Sequence, residues 1–250
     1  MPAPFLFKLI AALLSFFSLS LAGEPLLVAA AADLAPLERQ LLDGFSAAGG
    51  GKMQFTFGSS GMLARQVENG APYDLFLCAN DQLIQDLAAQ GKLIPGSVAA
   101  YATGRLGLWS ARQKPADLGA LLQPGIRLIA IANPHHAPYG VAARSLLESA
   151  GLWTRLQPKI VLAENVRQAY EYASSGNADA VLTAWTLLWD KPGAKLLSGS
   201  GQPPIRQSGA IVAGTGHEAQ ARAFMRFLLG ASGQSILRAH GLFPPAVAAR

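Results

Sequence analysis

Short apolar runs alternate with amphipathic stretches along nearly the whole chain, and that alternation restricts the fold to layers of sheet and helix. The runs Pro25–Ala30, Met53–Phe57, Asp74–Cys78, Arg105–Trp109, Arg127–Ile131, Lys159–Leu162, Ala178–Leu182 and Ala210–Ala213 predict strands. Helices are predicted over Leu34–Phe45, Met62–Glu68, Asp81–Gln90, Gly140–Ala150, Val166–Ala173, Glu218–Leu229 and around Gln234–His240. Glycines close several of them: Gly70, Gly91, Gly151 and Gly176. This order predicts an α/β protein with largely parallel sheets. No fixed-period repeat or low-complexity tract interrupts it.

The chain has 250 residues, enough for one large domain or two lobes with cores of their own. Hydrophobic residues make up 51% and charged ones 14%, which excludes long disorder and coiled coils. In the opening segment Lys8 is the single charged side chain, Leu9–Leu21 is largely apolar, and Ser20-Leu21-Ala22 places small residues as at a processing site. A secretory signal over residues 1–22, cleaved near Ala22, is therefore expected. The apolar run is shorter than the ~20 residues of a membrane span. The sole cysteine, Cys78, is not placed for lipoprotein processing, allows no internal disulfide and supports no Cys-based metal cluster. Its apolar neighbours Leu75-Phe76-Leu77 predict a buried free thiol. The formal charge of +5 comes from scattered basic residues, which suits small anions and not nucleic acid.

Four predicted helix starts carry polar or tight-turn chemistry directly after a strand. They are Ala30-Ala31-Ala32-Asp33-Leu34-Ala35-Pro36, Phe57-Gly58-Ser59-Ser60-Gly61, Ala132-Asn133-Pro134-His135-His136-Ala137-Pro138-Tyr139-Gly140 and Glu164-Asn165-Val166. A helix N-terminus presents N–H groups without intrahelical partners, and an anion satisfies them. Each start taken alone reads as an ordinary cap. Taken together in an exported α/β chain, they suggest neutral donors converging on an oxyanion. Hydrogen bonds to a charged group contribute ~1.5–3 kcal/mol each, so a handful suffices without Lys or Arg. His135-His136 have no carboxylate or thiol at ligand spacing and predict no metal site. His217 and His240 read as capping or surface residues, and Asp74 and Asp81 as turn or cap residues.

These segments, with Leu63-Ala64-Arg65-Gln66-Val67-Glu68-Asn69-Gly70-Ala71-Pro72-Tyr73-Asp74-Leu75-Phe76, resemble the periplasmic molybdate-binding proteins of ABC transporters, a type II periplasmic-binding-protein family. The resemblance implies a two-lobed fold with a hinge and an interlobe cleft. Lobe 1 would hold residues 24–101 and 205–250 and lobe 2 residues 102–204, with Pro203-Pro204 and the Gly104 region as supporting breakers. It also implies a monomeric receptor without catalytic residues or cofactor, delivering molybdate or tungstate to an ABC permease. By position, Ser60 would supply hydroxyl and backbone donors, and Tyr139 and Val166 backbone N–H groups. Asp33 falls where the family usually has a Ser or Asn donor, and Thr183 where some members have a ligand-binding Tyr.

Asp33 is the main departure. An ionised carboxylate offers no donor and repels an anion. The expected resolution is that Asp33 caps its own helix and leaves its backbone N–H to the ligand. The alternatives are an altered site, for another oxyanion or with the carboxylate coordinating the metal centre directly, a sensory binding domain, or an enzyme built on a Ser60–His135–Asp33 relay.

Overall fold

Leu26–Ala31 form β1, a strand without a charged residue that is buried along nearly its whole length. In the computed structural model, which describes residues 24–115, 117–197 and 205–245, β1 is an inner strand of the first of two five-stranded sheets. It pairs in parallel with β2 (Met53–Gly58) on one side and β3 (Leu75–Cys78) on the other. β10 (Ile205–Ile211) joins β3 antiparallel, and β4 (Ala99–Gly104) joins β10 antiparallel. In the second sheet β6 (Ile129–Ala132) lies between β7 (Ile160–Ala163) and β8 (Ala180–Ala184), parallel to both. β5 (Leu106–Trp109) continues antiparallel beyond β8, followed by the short β9 (Lys195–Leu196).

Both sheets are therefore mixed, which corrects the expectation of largely parallel ones. A parallel neighbour requires a long crossover. The chain instead passes from β4 to β5 through the single residue Arg105, moving from one sheet to the other, and β10 re-enters the first sheet between two strands running the opposite way.

The helices cover the sheet faces. They are α1 (Glu38–Ala47), α2 (Ser60–Glu68), α3 (Asp81–Ala89), α4 (Pro138–Ser149), the short α5 (Trp153–Leu156), α6 (Val166–Ser174), α7 (Glu218–Leu229) and α8 (Ala231–Ala239). One face of the first sheet packs Val28, Leu34, Leu41 and Phe45 against Phe224 and Phe227 of α7, with Phe45 edge-on to Phe224 at 5.2 Å. The other face buries Leu63, Val67, Phe76 and Ile84. The second sheet repeats the plan, with Leu108, Ile131, Leu147 and Leu182 on one face and Trp109, Ala169 and Val181 on the other. Cys78 is buried as expected, and burial pushes its thiol up to about 12.

Several boundaries differ from the sequence expectation. The turn after β1 is a 3-10 helix, Ala32–Leu37, and α1 begins only at Glu38. Pro36 accounts for this: it has no N–H, and in an α-helix its ring would press on the carbonyl four residues back. β4 went unrecognised because Ala99-Ala100-Tyr101-Ala102-Thr103-Gly104 lacks the β-branched, alternating pattern of a strand. β10 starts five residues earlier than its apolar core suggests. Asp74, expected as a turn or cap residue, instead pins distant segments together, accepting from the Leu27 N–H (2.7 Å) and Thr215 Oγ1 (2.5 Å). The signal segment 1–22 and Pro203-Pro204 lie outside the described residues.

Both sheets contain a topological switch point. β1 leads to β2 on one side and is flanked by β3 on the other, and β6 stands likewise between β7 and β8. Crevices for ligands form at the carboxyl ends of strands at such points.

Candidate functional site

The four helix starts come together at those strand ends. A narrow cavity is lined from the first sheet by Ala31, Ala32, Asp33, Gly58, Ser59, Ser60 and Ala79, and from the second by Ala137, Pro138, Tyr139, Asn165 and Val166. No Lys or Arg is among these residues, and Asp33 is their one acid.

Ser60 opens α2 and is 1% exposed. Its Oγ accepts the Ala79 N–H at 3.0 Å, which leaves the hydroxyl hydrogen to donate elsewhere. Ser59 occupies the N-cap position without capping: its Oγ meets His136 Nδ1 at 2.8 Å. The Gly61 N–H donates to the His136 carbonyl at 2.9 Å. Burial holds the His136 ring below its ordinary value. These bonds tie the start of α2 to the loop before α4, across the gap between the sheets.

On the second sheet, Asn165 caps α6 as expected, its Oδ1 accepting from the Arg167 and Gln168 N–H groups at 3.0 and 3.1 Å. As first-turn residues of α6 and α4, Val166 and Tyr139 have N–H groups without an intrahelical acceptor. Thr183 is fully buried in β8 and does not line the cavity. Its hydroxyl donates to the Val166 carbonyl at 2.8 Å, so it braces the start of α6 from behind.

Asp33 departs from the capping expectation. The N-cap residue of the 3-10 helix is Ala31, and Asp33 lies inside its first turn. Its fully buried carboxylate accepts two bonds on Oδ2, from the Tyr139 hydroxyl at 2.8 Å and from Gln207 Nε2 at 2.5 Å. Gln207 Oε1 in turn accepts from the Tyr101 hydroxyl at 3.0 Å. A cap bond would be local, whereas these two side-chain donors come from α4 and β10. Asp33 Oδ1 is buried without a partner. Burial pushes Asp33 up to about 7, against the opposing pull of the Tyr139 and Gln207 bonds and, least, of its own backbone N–H. Gly104 makes room for this network, because a Cβ there would collide with the Tyr139 hydroxyl and come within 3.0 Å of Gln207 Nε2.

Sequence reasoning missed Gln207, Tyr101 and the hydroxyl role of Tyr139. The only signal was a Gln in a strand that ends in small and apolar residues. The Ser60–His135–Asp33 relay is not assembled: His135 does not line the cavity, and its N–H bonds Asn133 Oδ1. Among the described residues no three His, Cys, Asp or Glu cluster as metal ligands. His217 pairs with Asp74 at 3.1 Å, and His240 Nδ1 meets its own helix at the Ile236 carbonyl.

Comparison with known proteins bears on the fold and the family. The family described as bacterial extracellular solute-binding protein matches residues 26–243. The molybdate-binding protein ModA of Rhodobacter capsulatus is 32% identical over 235 residues, 92% of either chain. ModA of Azotobacter vinelandii is 34% identical over 225 residues, 86% of this chain and 88% of that one. The solved structure of the Azotobacter vinelandii periplasmic molybdate-binding protein superposes with a TM-score of 0.82, covering 88% of this chain and 100% of that chain. The family match takes in both sheets and all four helix starts, and the chain thus belongs to the bacterial extracellular solute-binding proteins.

Proposed function

We propose that this protein is an extracytoplasmic receptor that captures a tetrahedral oxyanion, molybdate or tungstate, and delivers it to an ABC permease. The observation that carries this reading is the meeting of four helix starts, two from each sheet, around one cavity without a cationic side chain. Neutral donors at fixed positions select a small rigid anion by size and geometry, and helix termini supply the compensating partial charge. The ModA relatives, whose names state molybdate binding, support the same ligand.

In this reading the two sheets belong to two lobes, one built on residues 24–104 and 205–245 and the other on residues 106–197. The chain crosses at Arg105, because β4 keeps the first sheet intact through Gly104. Ser60 contributes its hydroxyl, Tyr139 and Val166 their N–H groups, and Asp33 its free carboxyl oxygen. Thr183 acts through Val166 and does not touch the ligand. The protein works as a monomer, without chemistry and without a cofactor. Export by a signal over residues 1–22 suits a periplasmic receptor.

Calorimetry of the mature chain with molybdate, tungstate, sulfate and phosphate tests this. Binding of molybdate and tungstate with sulfate at least tenfold weaker, about 1.4 kcal/mol, is expected. Binding none of the four, or sulfate equally well, would refute it.

A further inference from the structure

The two oxygens of the Asp33 carboxyl group are unequal. Oδ2 already takes bonds from Tyr139 and Gln207, which fills both of its lone-pair positions. Oδ1 is buried and has no partner, on a residue that lines the cavity. An ionised oxygen left so in a dry site is costly, and beside an oxyanion it is more costly still. A proton removes both costs, and Oδ1 is the only oxygen with room for it.

The groups facing Asp33 offer no compensating charge. Tyr139 from α4 and Tyr101 from β4 are raised well above the usual phenol range, chiefly by burial, and Cys78 from β3 stands at about 12, so all three stay neutral. Gln207 from β10 does not titrate. Asp81 acts on Cys78, and His136 is reached only through Ser59. No Lys, Arg or His contributes to the acidity of Asp33.

We infer that Asp33 carries a proton on Oδ1 when the oxyanion is bound and donates it to an anion oxygen, so that this receptor takes up one proton together with its ligand. The inference rests on the oxyanion reading of the cavity and adds a specificity device to it: a carboxyl group stands in for a neutral donor, at the expense of pH dependence.

The sign follows from linkage. Before ligand binds, Asp33 titrates at about 7. Below that value the proton is already in place and affinity for a fully deprotonated dianion is level. Above it, the proton must be taken from solution, and affinity falls tenfold per pH unit. The same raised value makes the ligand-free fold lose stability as pH rises from the ordinary value of 3.8 through about 7, a loss that Asp33→Asn removes.

The test is calorimetry of the mature chain with molybdate between about pH 6 and about pH 9, in pairs of buffers with different ionisation enthalpies. The wild-type protein is expected to show level affinity at the acid end, the tenfold slope at the alkaline end, and uptake of about one proton per anion there. Asp33→Asn, whose Nδ2 donates at every pH, is expected to bind with a level profile, no linked proton uptake and tighter affinity than wild type at the alkaline end. His136→Gln is expected to keep the slope, which separates Asp33 from the nearest imidazole.

Molybdate binding by the wild-type chain with a level profile and no proton uptake overturns the proposal and leaves the receptor reading standing. Absence of molybdate binding at every pH overturns the receptor reading itself. Tighter binding of hydrogen phosphate than of molybdate, without proton uptake, shows an ionised Asp33 accepting the ligand's proton and also overturns the proposal. The wild-type measurements decide the matter even if the Asp33→Asn chain does not fold.

Discussion

Ser60 Oγ accepts the Ala79 N–H and lines the cavity, and its hydroxyl is the donor proposed for the ligand. Ser60→Ala removes both bonds. The buried Ala79 N–H then lacks an acceptor, which costs ~1–3 kcal/mol of stability, and a charged ligand loses a donor contributing ~1.5–3 kcal/mol. The expected result is a lower melting temperature together with molybdate affinity reduced at least tenfold, read by thermal unfolding and calorimetry. A fall in melting temperature with affinity intact would reduce Ser60 to a structural role. This residue was legible in the sequence because the signal is local: a strand, a Gly-Ser turn and a helix start within a few residues. Asp33 was legible only as a departure. Its partners Tyr139 and Gln207 lie 106 and 174 residues away, and no local rule connects them. Local reasoning favours a cap because caps are the bonds local sequence can describe. The buried network instead depends on β10 bringing a Gln beneath the start of α4.

Among the elements, α6 would combine a cap and the proposed binding site at one helix terminus. Asn165 takes the N–H groups of Arg167 and Gln168, so the first turn stays wound and the Val166 N–H is held at the cavity. Asn165→Ala is expected to cost ~1 kcal/mol of stability through loss of the cap. Asn165→Asp separates the two roles. Asp caps as well as Asn, so the melting temperature is expected to hold. It also adds a negative charge at the cavity wall, and repulsion of ~4 kcal/mol per unit charge at 4 Å and an effective dielectric of 20 is expected to weaken molybdate binding at least tenfold. Unchanged affinity for Asn165→Asp would place the anion away from α6. This cap and the whole of α7 were read correctly from sequence, because both have strong local signals. β4 and the first half of β10 were not. Their small and polar residues are buried by neighbouring strands and by the Asp33 network, which is tertiary context overriding propensity.

At the scale of the molecule, the donors assigned to the ligand come from both sheets, Asp33 and Ser60 from one and Tyr139 and Val166 from the other. They can act together only when the two sheets are held close. The Gly61 N–H to His136 carbonyl bond and the Ser59–His136 contact are part of what holds them so. A ligand shifts such an equilibrium only by binding one arrangement better than the other, so a residue that fits only the closed arrangement should separate affinity from stability. The two-sheet crossing at Arg105 had only the Gly104 region as a local signature beside the family resemblance, and the bonds between the sheets had none, so the contact of Gly61 with His136 emerges from the structure alone. A Cβ at Gly61 would lie 2.6 Å from the His136 carbonyl oxygen, and that oxygen is backbone that cannot swing aside. With the two sheets apart the same methyl would meet no such obstacle, and Ala is a better helix former than Gly by ~0.8–1 kcal/mol. Gly61→Ala is therefore expected to leave the ligand-free melting temperature unchanged or slightly higher while lowering molybdate affinity at least tenfold, about 1.4 kcal/mol. Small-angle scattering should show the wild-type chain contracting with molybdate and the variant contracting less. Equal affinity in the two proteins, or a ligand-free melting temperature that falls in step with affinity, would mean that the Gly61–His136 contact belongs to the resting fold and has no part in closure.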